Sequence, residues 1–283
     1  ARAYAGLANT LALLTYFGDR PLQEQRVVGQ AQRALALDSS LADAHVALGI
    51  MHTSLGRYAA GEAELKRAIA IEPANAGAHF QLGRLLLYVG RVRESIEELE
   101  RAKSLEPYQP ATATWLGYAL LRSANPERAS AEAARAWELD SSSAVVQLIT
   151  AMTALESGRP TEARQFASGG RTRTSFNRGT FAYVLGMTGA VDSTRATIRM
   201  IEARGGTQWL DQMNLAFAAL ALGDTARALD AIDKSLARGE PLTAYFPLWS
   251  QLFDSVRGTA RFDALVRRVG LSEDAPRTQS RRQ

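Results

Sequence analysis

Apolar side chains recur at intervals of three and four along most of the chain, the spacing that gathers them on one face of a helix. The helical stretches come in couples, a first helix, a short turn and a second helix, after which the pattern begins again. The recurrence has one period. Gly56, Gly90, Ala124 and Gly158 stand 34 residues apart, and Gly189 to Gly223 repeats the interval. Gly49, Gly83 and Gly117 keep the same step, each directly behind a leucine (Leu48, Leu82, Leu116). So do Gly61, Ser95, Ala129 and Ala163, and again Ala34, Ala68, Ala102 and Ala136. Pro73 and Pro107 share it as well. Several columns with one period mark an internal repeat.

The residue types in these columns have physical reasons. Where two helices cross closely, a large side chain would hold the backbones apart, so contact positions must be small. On the first helix of each couple that position holds Ala8, Gly49, Gly83, Gly117, Ala151, Ala182 and Ala216. On the second helix it is expected at Val27, Gly61, Ser95, Ala129, Ala163, Ala196 and Ala228. Glycines 56, 90, 158, 189 and 223 end first helices, where a left-handed residue closes the last turn at least cost. Pro73 and Pro107 stop second helices, because proline cannot continue the hydrogen-bond ladder.

These residues resemble the tetratricopeptide repeat (TPR) family. Leu48-Gly49, His52, Gly56, Tyr58, Gly61, Leu65, Ala68-Ile69 and Pro73 match its motif, as do Leu82-Gly83, Gly90, Ser95, Leu99, Ala102 and Pro107 in the next unit. The resemblance covers roughly residues 1–242 and implies an all-α fold: a right-handed α-α superhelix, a TPR solenoid of about seven helix pairs with C-terminal capping helices. The units are 1–41, 42–75, 76–109, 110–143, 144–174, 175–208 and 209–242, the first carrying extra residues between its helices. The register breaks around Gln165–Arg178, where Ala167 onward reads as a loop after a shortened helix.

Beyond Leu242 the pattern changes. Residues 243–270 are predicted to cap the array with two helices, Tyr245–Val256 and Thr259–Val269, since a solenoid must cover its last apolar surface. Residues 271–283 read as a flexible polar tail. The run from Phe253 to Leu265 and the opening Ala1–Ala8 are similar to the TPR regions of bacterial multidomain regulators with a Ser/Thr kinase or winged-helix domain. With no Met at Ala1, the chain is expected to be a processed form or a piece of something longer.

Charge changes this picture little. The net charge is +4, and only three of the 33 basic residues are lysines (Lys66, Lys103, Lys234). Residues 1–143 carry 15 basic and 16 acidic side chains, and residues 144–283 carry 18 and 13. The basic second half leaves nucleic-acid binding as the alternative function, one that predicts affinity falling steeply with salt. No apolar stretch is long enough to span a bilayer, so no membrane insertion is expected, and a cytoplasmic setting is the expectation. The absence of cysteine excludes disulfides and thiolate metal sites.

Catalytic chemistry is not visible. Phosphate-loop, dinucleotide and zinc-protease motifs are absent, and no nucleophile–base pair can be assembled. No catalytic residue, metal site or cofactor is expected. His45 and His79 occupy one large-residue slot in successive units and His52 another, so all three read as packing residues. Glu94, Glu97, Glu98 and Glu100 read as a solvated helix face near Arg91, Arg93 and Arg101.

Function then falls to the concave groove lined by first helices, as the resemblance implies. The best-known TPR clamp for a C-terminal carboxylate presents Lys, Asn and Arg there. The corresponding positions hold Ala5 and Asn9, then Asp43, Ala47 and Ile50, then Gly77 and Gln81. The basic residues are missing, which argues against that ligand. The third and fourth units instead offer Phe80, Arg84, Tyr88, Trp115, Tyr118 and Arg122 as candidate peptide- or partner-binding residues, aromatics beside arginines being what binding hot spots are enriched in. The expected partner is a protein or peptide, with a homo-oligomer a further option.

Overall fold

The structure is a computed structural model that describes residues 1–14, 20–169, 178–208, 210–238 and 251–268. Among these residues the fold is entirely helical, with no strand. It divides into two compact units, Ala1–Thr112 and Ala113–Gln283.

The first unit stacks three helix couples: α1 (Arg2–Leu14) with α2 (Arg20–Leu37), α3 (Ala42–Ser54) with α4 (Tyr58–Ile71), and α5 (Ala76–Tyr88) with α6 (Val92–Leu105). The small-residue columns sit where the helices of a couple cross. A Cβ on Gly49 would lie 2.6 Å from Leu65 Cγ, and one on Gly83 would lie 2.7 Å from Leu99 Cγ. Both leucines are fully buried. Ser95, facing Gly83, donates from Oγ to the Gly83 carbonyl at 2.7 Å, so the column admits a hydroxyl that ties the helices together. Gly56 and Gly90 close α3 and α5 in the left-handed region, at φ 74° and 78°.

Polar side chains then stitch the couples. His45 Nδ1 lies 2.6 Å from Glu64 Oε2 and His79 Nδ1 lies 2.6 Å from Glu98 Oε2, the same tie one repeat apart. The His79 Nε2 also meets the Pro73 carbonyl at 3.0 Å. Arg91 spans repeats, donating to both oxygens of Glu62 on α4 at 2.8 Å while pairing with Glu94 on its own helix. Thus His45 and His79 are buried as expected, but they also bond across each couple. Glu94 and Glu98 have partners that a purely solvated face would not supply.

The second unit comprises α7 (Pro110–Arg122), α8 (Pro126–Asp140), α9 (Ala144–Glu156), α10 (Pro160–Gly169), α11 (Arg178–Met187), α12 (Val191–Ala203), α13 (Asp211–Ala221) and α14 (Thr225–Ala237). A short 3-10 turn at Gln251–Phe253 and α15 (Ala260–Arg268) follow. Three features depart from the sequence expectation. α10 continues through Ala167 to Gly169, because Ala167 is fully buried and holds the helix to the core; the rest of the expected register break, 170–177, lies outside the described residues.

The contact position of α12 is Thr194 and not Ala196. Thr194 is fully buried and its Oγ1 donates to the Ala182 carbonyl at 2.7 Å, whereas Ala196 is exposed. Lastly, the described end of the first capping element is the 3-10 turn and not an α-helix; its earlier part, and the tail 271–283, fall outside the described residues.

One core runs through α9 to α15. It includes Leu148 and Met152 of α9, Val184 and Leu185 of α11, and Phe217 of α13. Leu252, Phe253 and Val256, from the segment after the repeats, join the same core.

Candidate binding surfaces on the first helices

On α5, residues four apart share one helix face, and the structure brings Phe80, Arg84 and Tyr88 together there. The Arg84 Cζ lies 5.5 Å from the Phe80 ring centroid and 5.8 Å from that of Tyr88. One guanidinium nitrogen donates to the Tyr88 hydroxyl at 2.9 Å and the other to Gln81 Oε1 at 3.0 Å. Phe80 and Arg84 are half-buried, and Tyr88 and Gln81 are buried. A guanidinium over aromatic faces keeps its charge while losing freedom of movement, so this patch is fixed in shape before any ligand arrives.

On α7 the three candidates are buried: Trp115 is 8% exposed, Tyr118 7% and Arg122 5%. The Trp115 and Tyr118 rings meet edge to face at 6.3 Å between centroids. Arg122, the last residue of its helix, has Nε and Nη1 shut off from solvent without a hydrogen-bond acceptor.

Glu156 ends α9 in the same slot, 34 residues after Arg122, and the sequence reading overlooked it. Both its carboxylate oxygens are sealed from solvent without a donor. Burial raises its pKa to about 7; the Arg122 charge pulls the other way and the Asp254 charge adds to the rise. Tyr183 on α11 belongs to the same cluster, its phenol pushed up to about 12 by burial, then by Glu156 and Asp254.

Arg257 completes the cluster. Its pKa is lowered, first by burial, and the Arg122 charge acts in the same direction while its pairing with Asp254 at 2.7 Å opposes it. The period-34 step from Arg122 was the one sequence signal for Glu156. Asp254 and Arg257 lie outside the repeats and left none.

No group of three His, Asp or Glu side chains is arranged for a metal among the described residues. No helix among them is long and apolar enough to cross a membrane.

Comparison with known proteins gives the same architecture. Residues 42–75 and 76–109 match the tetratricopeptide repeat family. A tetratricopeptide repeat protein from Parabacteroides merdae is similar in structure at a TM-score of 0.59 and 12% identity, over 95% of this chain and 100% of that one. A thermophilic TPR protein of Thermus thermophilus gives 0.54 at 17% identity, over 64% and 98%. PilW, a type IV pilus biogenesis factor, gives 0.52 at 15% identity, over 89% and 97%. No curated protein sequence matches the chain. At such identities the likeness concerns the fold. The chain is an all-α repeat protein, and residues 42–109 are tetratricopeptide repeats.

Proposed function

We propose that the chain is a non-catalytic scaffold that binds a peptide or partner protein on the faces of its first helices. The observation that carries this reading is the α5 patch, in which Arg84 is braced between Phe80 and Tyr88 while Phe80 and Arg84 keep part of their surface open. Pre-ordered aromatic and arginine side chains lose little entropy when a partner arrives. Trp115, Tyr118 and Arg122, buried on α7, are a separate candidate set in the second unit. Repeat arrays of this kind suit extended ligands, because stacking produces long continuous surfaces.

The resemblance at both ends of the sequence supports a setting as the sensor arm of a larger bacterial signalling protein. Against nucleic-acid binding stands the engagement of several described basic residues of the second half with carboxylates. Arg204 pairs with Asp211, Arg261 with Asp230 and Arg268 with Asp233, while Arg159 pairs with Glu162 and Arg227 with Asp224. Cations already engaged with carboxylates are poorly placed to neutralise phosphates.

The test is affinity capture with the wild-type chain and with the double variant Phe80→Ala, Arg84→Ala, both residues being half-exposed. The proteins captured by the wild type are expected to be lost from the variant, with helical circular dichroism and melting temperature retained. Identical capture by the two chains would remove the α5 patch from the proposal.

A further inference from the structure

One face of α1 has the residues of a buried face and lies open. Tyr4, Leu7 and Leu13 are 38%, 46% and 48% exposed, and Ala3, Gly6 and Thr10 are exposed among them. The repeat register shows what covers such a face elsewhere. Gly49 on α3 follows Ala8 on α1 by 41 residues, so Ala3, Gly6 and Thr10 correspond to Ala44, Ala47 and Met51. Those three are fully buried. One repeat later Ala78 and Leu85 are fully buried and Gln81 is buried. Each of α3 and α5 has a helix couple packed in front of it, α1 with α2 before α3 and α3 with α4 before α5. The open face of α1 is therefore the one that a preceding couple covers on the next two first helices.

The chemistry of this face suits an apolar occupant. α1 contains a single charged side chain, Arg2, and no acidic one. The hydroxyl of Thr10 donates to the Gly6 carbonyl of its own helix at 3.0 Å, so it needs no outside partner. A Cβ on Gly6 would meet nothing within 4 Å, which leaves room for another backbone to come close. A helix with apolar residues on all sides is a buried one. α15 differs: it turns Arg261, Arg267 and Arg268 outward, the polar finish that the end of an array requires.

We propose that α1 pairs with α1 of a second copy of this chain across a twofold axis at Leu7. Antiparallel pairing about that residue sets Leu7 against its own counterpart and Tyr4 opposite Thr10 of the partner subunit, large against small. Ala3 and Gly6 give the two backbones room to approach. The Arg2 side chains then stand about 15 Å apart along the paired helices, beyond the distance over which salt leaves like charges in strong repulsion. A face with no charge at its centre offers nothing by which to select a partner of opposite charge, whereas a self-complementary face is matched by a second copy. One helix per subunit is a small contact, so dimer and monomer exchange, with a dissociation constant on the order of 10 µM. The inference does not rest on the α5 patch.

Sedimentation velocity of the full chain from about 1 to about 100 µM is expected to show the average mass rising from that of one chain toward that of two. Leu7→Glu, which sets a carboxylate on each side of the axis, is expected to hold the mass at one chain throughout while helical circular dichroism is retained. The chain has no cysteine, so Leu7→Cys introduces its sole thiol. Under mild oxidation that variant is expected to form a disulfide-linked dimer about tenfold faster than Arg93→Cys on the exposed face of α6. A wild type that stays monomeric across the range would overturn the proposal and leave the face to a helix of another protein. So would a dimer that Leu7→Glu leaves intact, or equal rates of disulfide formation at the two sites. Should Leu7→Glu fail to fold, the mass of the wild type and the two oxidation rates still decide. Capture through the α5 patch is read separately, so either reading can fail without the other.

Discussion

A single methyl group decides several positions in this chain. At Gly83 a Cβ would stand 2.7 Å from Leu99 Cγ and 3.2 Å from the Ser95 carbonyl, and Leu99 is fully buried with nowhere to withdraw. At Gly29, within α2, nothing lies within 4 Å of the same added atom. Gly83→Ala is therefore expected to destabilise the chain by about 1–3 kcal/mol through overpacking, whereas Gly29→Ala should stabilise it by roughly 0.5–1 kcal/mol through helix propensity. Denaturant melts of the two variants check the pair; equal shifts would mean that the crossing tolerates more bulk than its geometry suggests. Ala124 is the converse case. It fills a column otherwise held by glycine and adopts φ 58°, a conformation that costs a residue with a Cβ about 1 kcal/mol. Ala124→Gly should raise stability by roughly 0.5–1 kcal/mol, measured by the same melts.

At the scale of the helix couple, the repeat was legible because close crossings leave a strict mark on residue size. The slip in the sixth couple shows where that mark fades. Each second-helix contact residue stands five positions after its turn glycine: Gly56 to Gly61, Gly90 to Ser95, Gly158 to Ala163, Gly223 to Ala228. Counting from Gly189 reaches Thr194, yet an alanine two positions later drew the sequence reading to Ala196. Threonine fits the crossing because its hydroxyl has the Ala182 carbonyl to bond. Thr194→Val should consequently cost about 1–2 kcal/mol by leaving that carbonyl short of a donor, while Ala196→Ser should change little; thermal melting compares them. The α5 face was readable from spacing alone, since Phe80, Arg84 and Tyr88 stand four apart. The depth of Trp115, Tyr118 and Arg122 was not, because burial depends on what packs over a helix. Asp254 and Arg257 were invisible for the same reason: their positions follow from where Phe253 anchors, a tertiary fact with no periodicity.

Across the molecule, Glu156 couples stability to pH. The groups that act on it or feel it are Arg122 from α7, Tyr183 from α11 and Asp254 from the segment after the repeats. The carboxyl titrates at 4.5 without its surroundings and at about 7 within them, so folding takes up a proton between those values. Its contribution is fully present below pH 4.5 and is lost as the pH rises through about 7. Glu156→Gln removes the charge and keeps the shape. The variant should match the wild type near pH 4 and exceed it by on the order of 1–3 kcal/mol at pH 8. Urea melts at the two pH values check this, and a gap independent of pH would mean that Glu156 is ionised throughout.

The ties from His45 to Glu64, from His79 to Glu98 and from Arg91 back to Glu62 all fall within residues 42–109. In an array whose members lean only on their immediate neighbours, such a cross-braced pair is the natural seed from which order spreads outward. Amide hydrogens in α3 to α6 should then be the slowest in the first unit to exchange with deuterium, and α1, beyond that brace, should fray first. A partner gripping α5 would be holding the stiffest rung of that ladder, and the force it exerts would pass into the neighbouring rungs without first melting the one it holds.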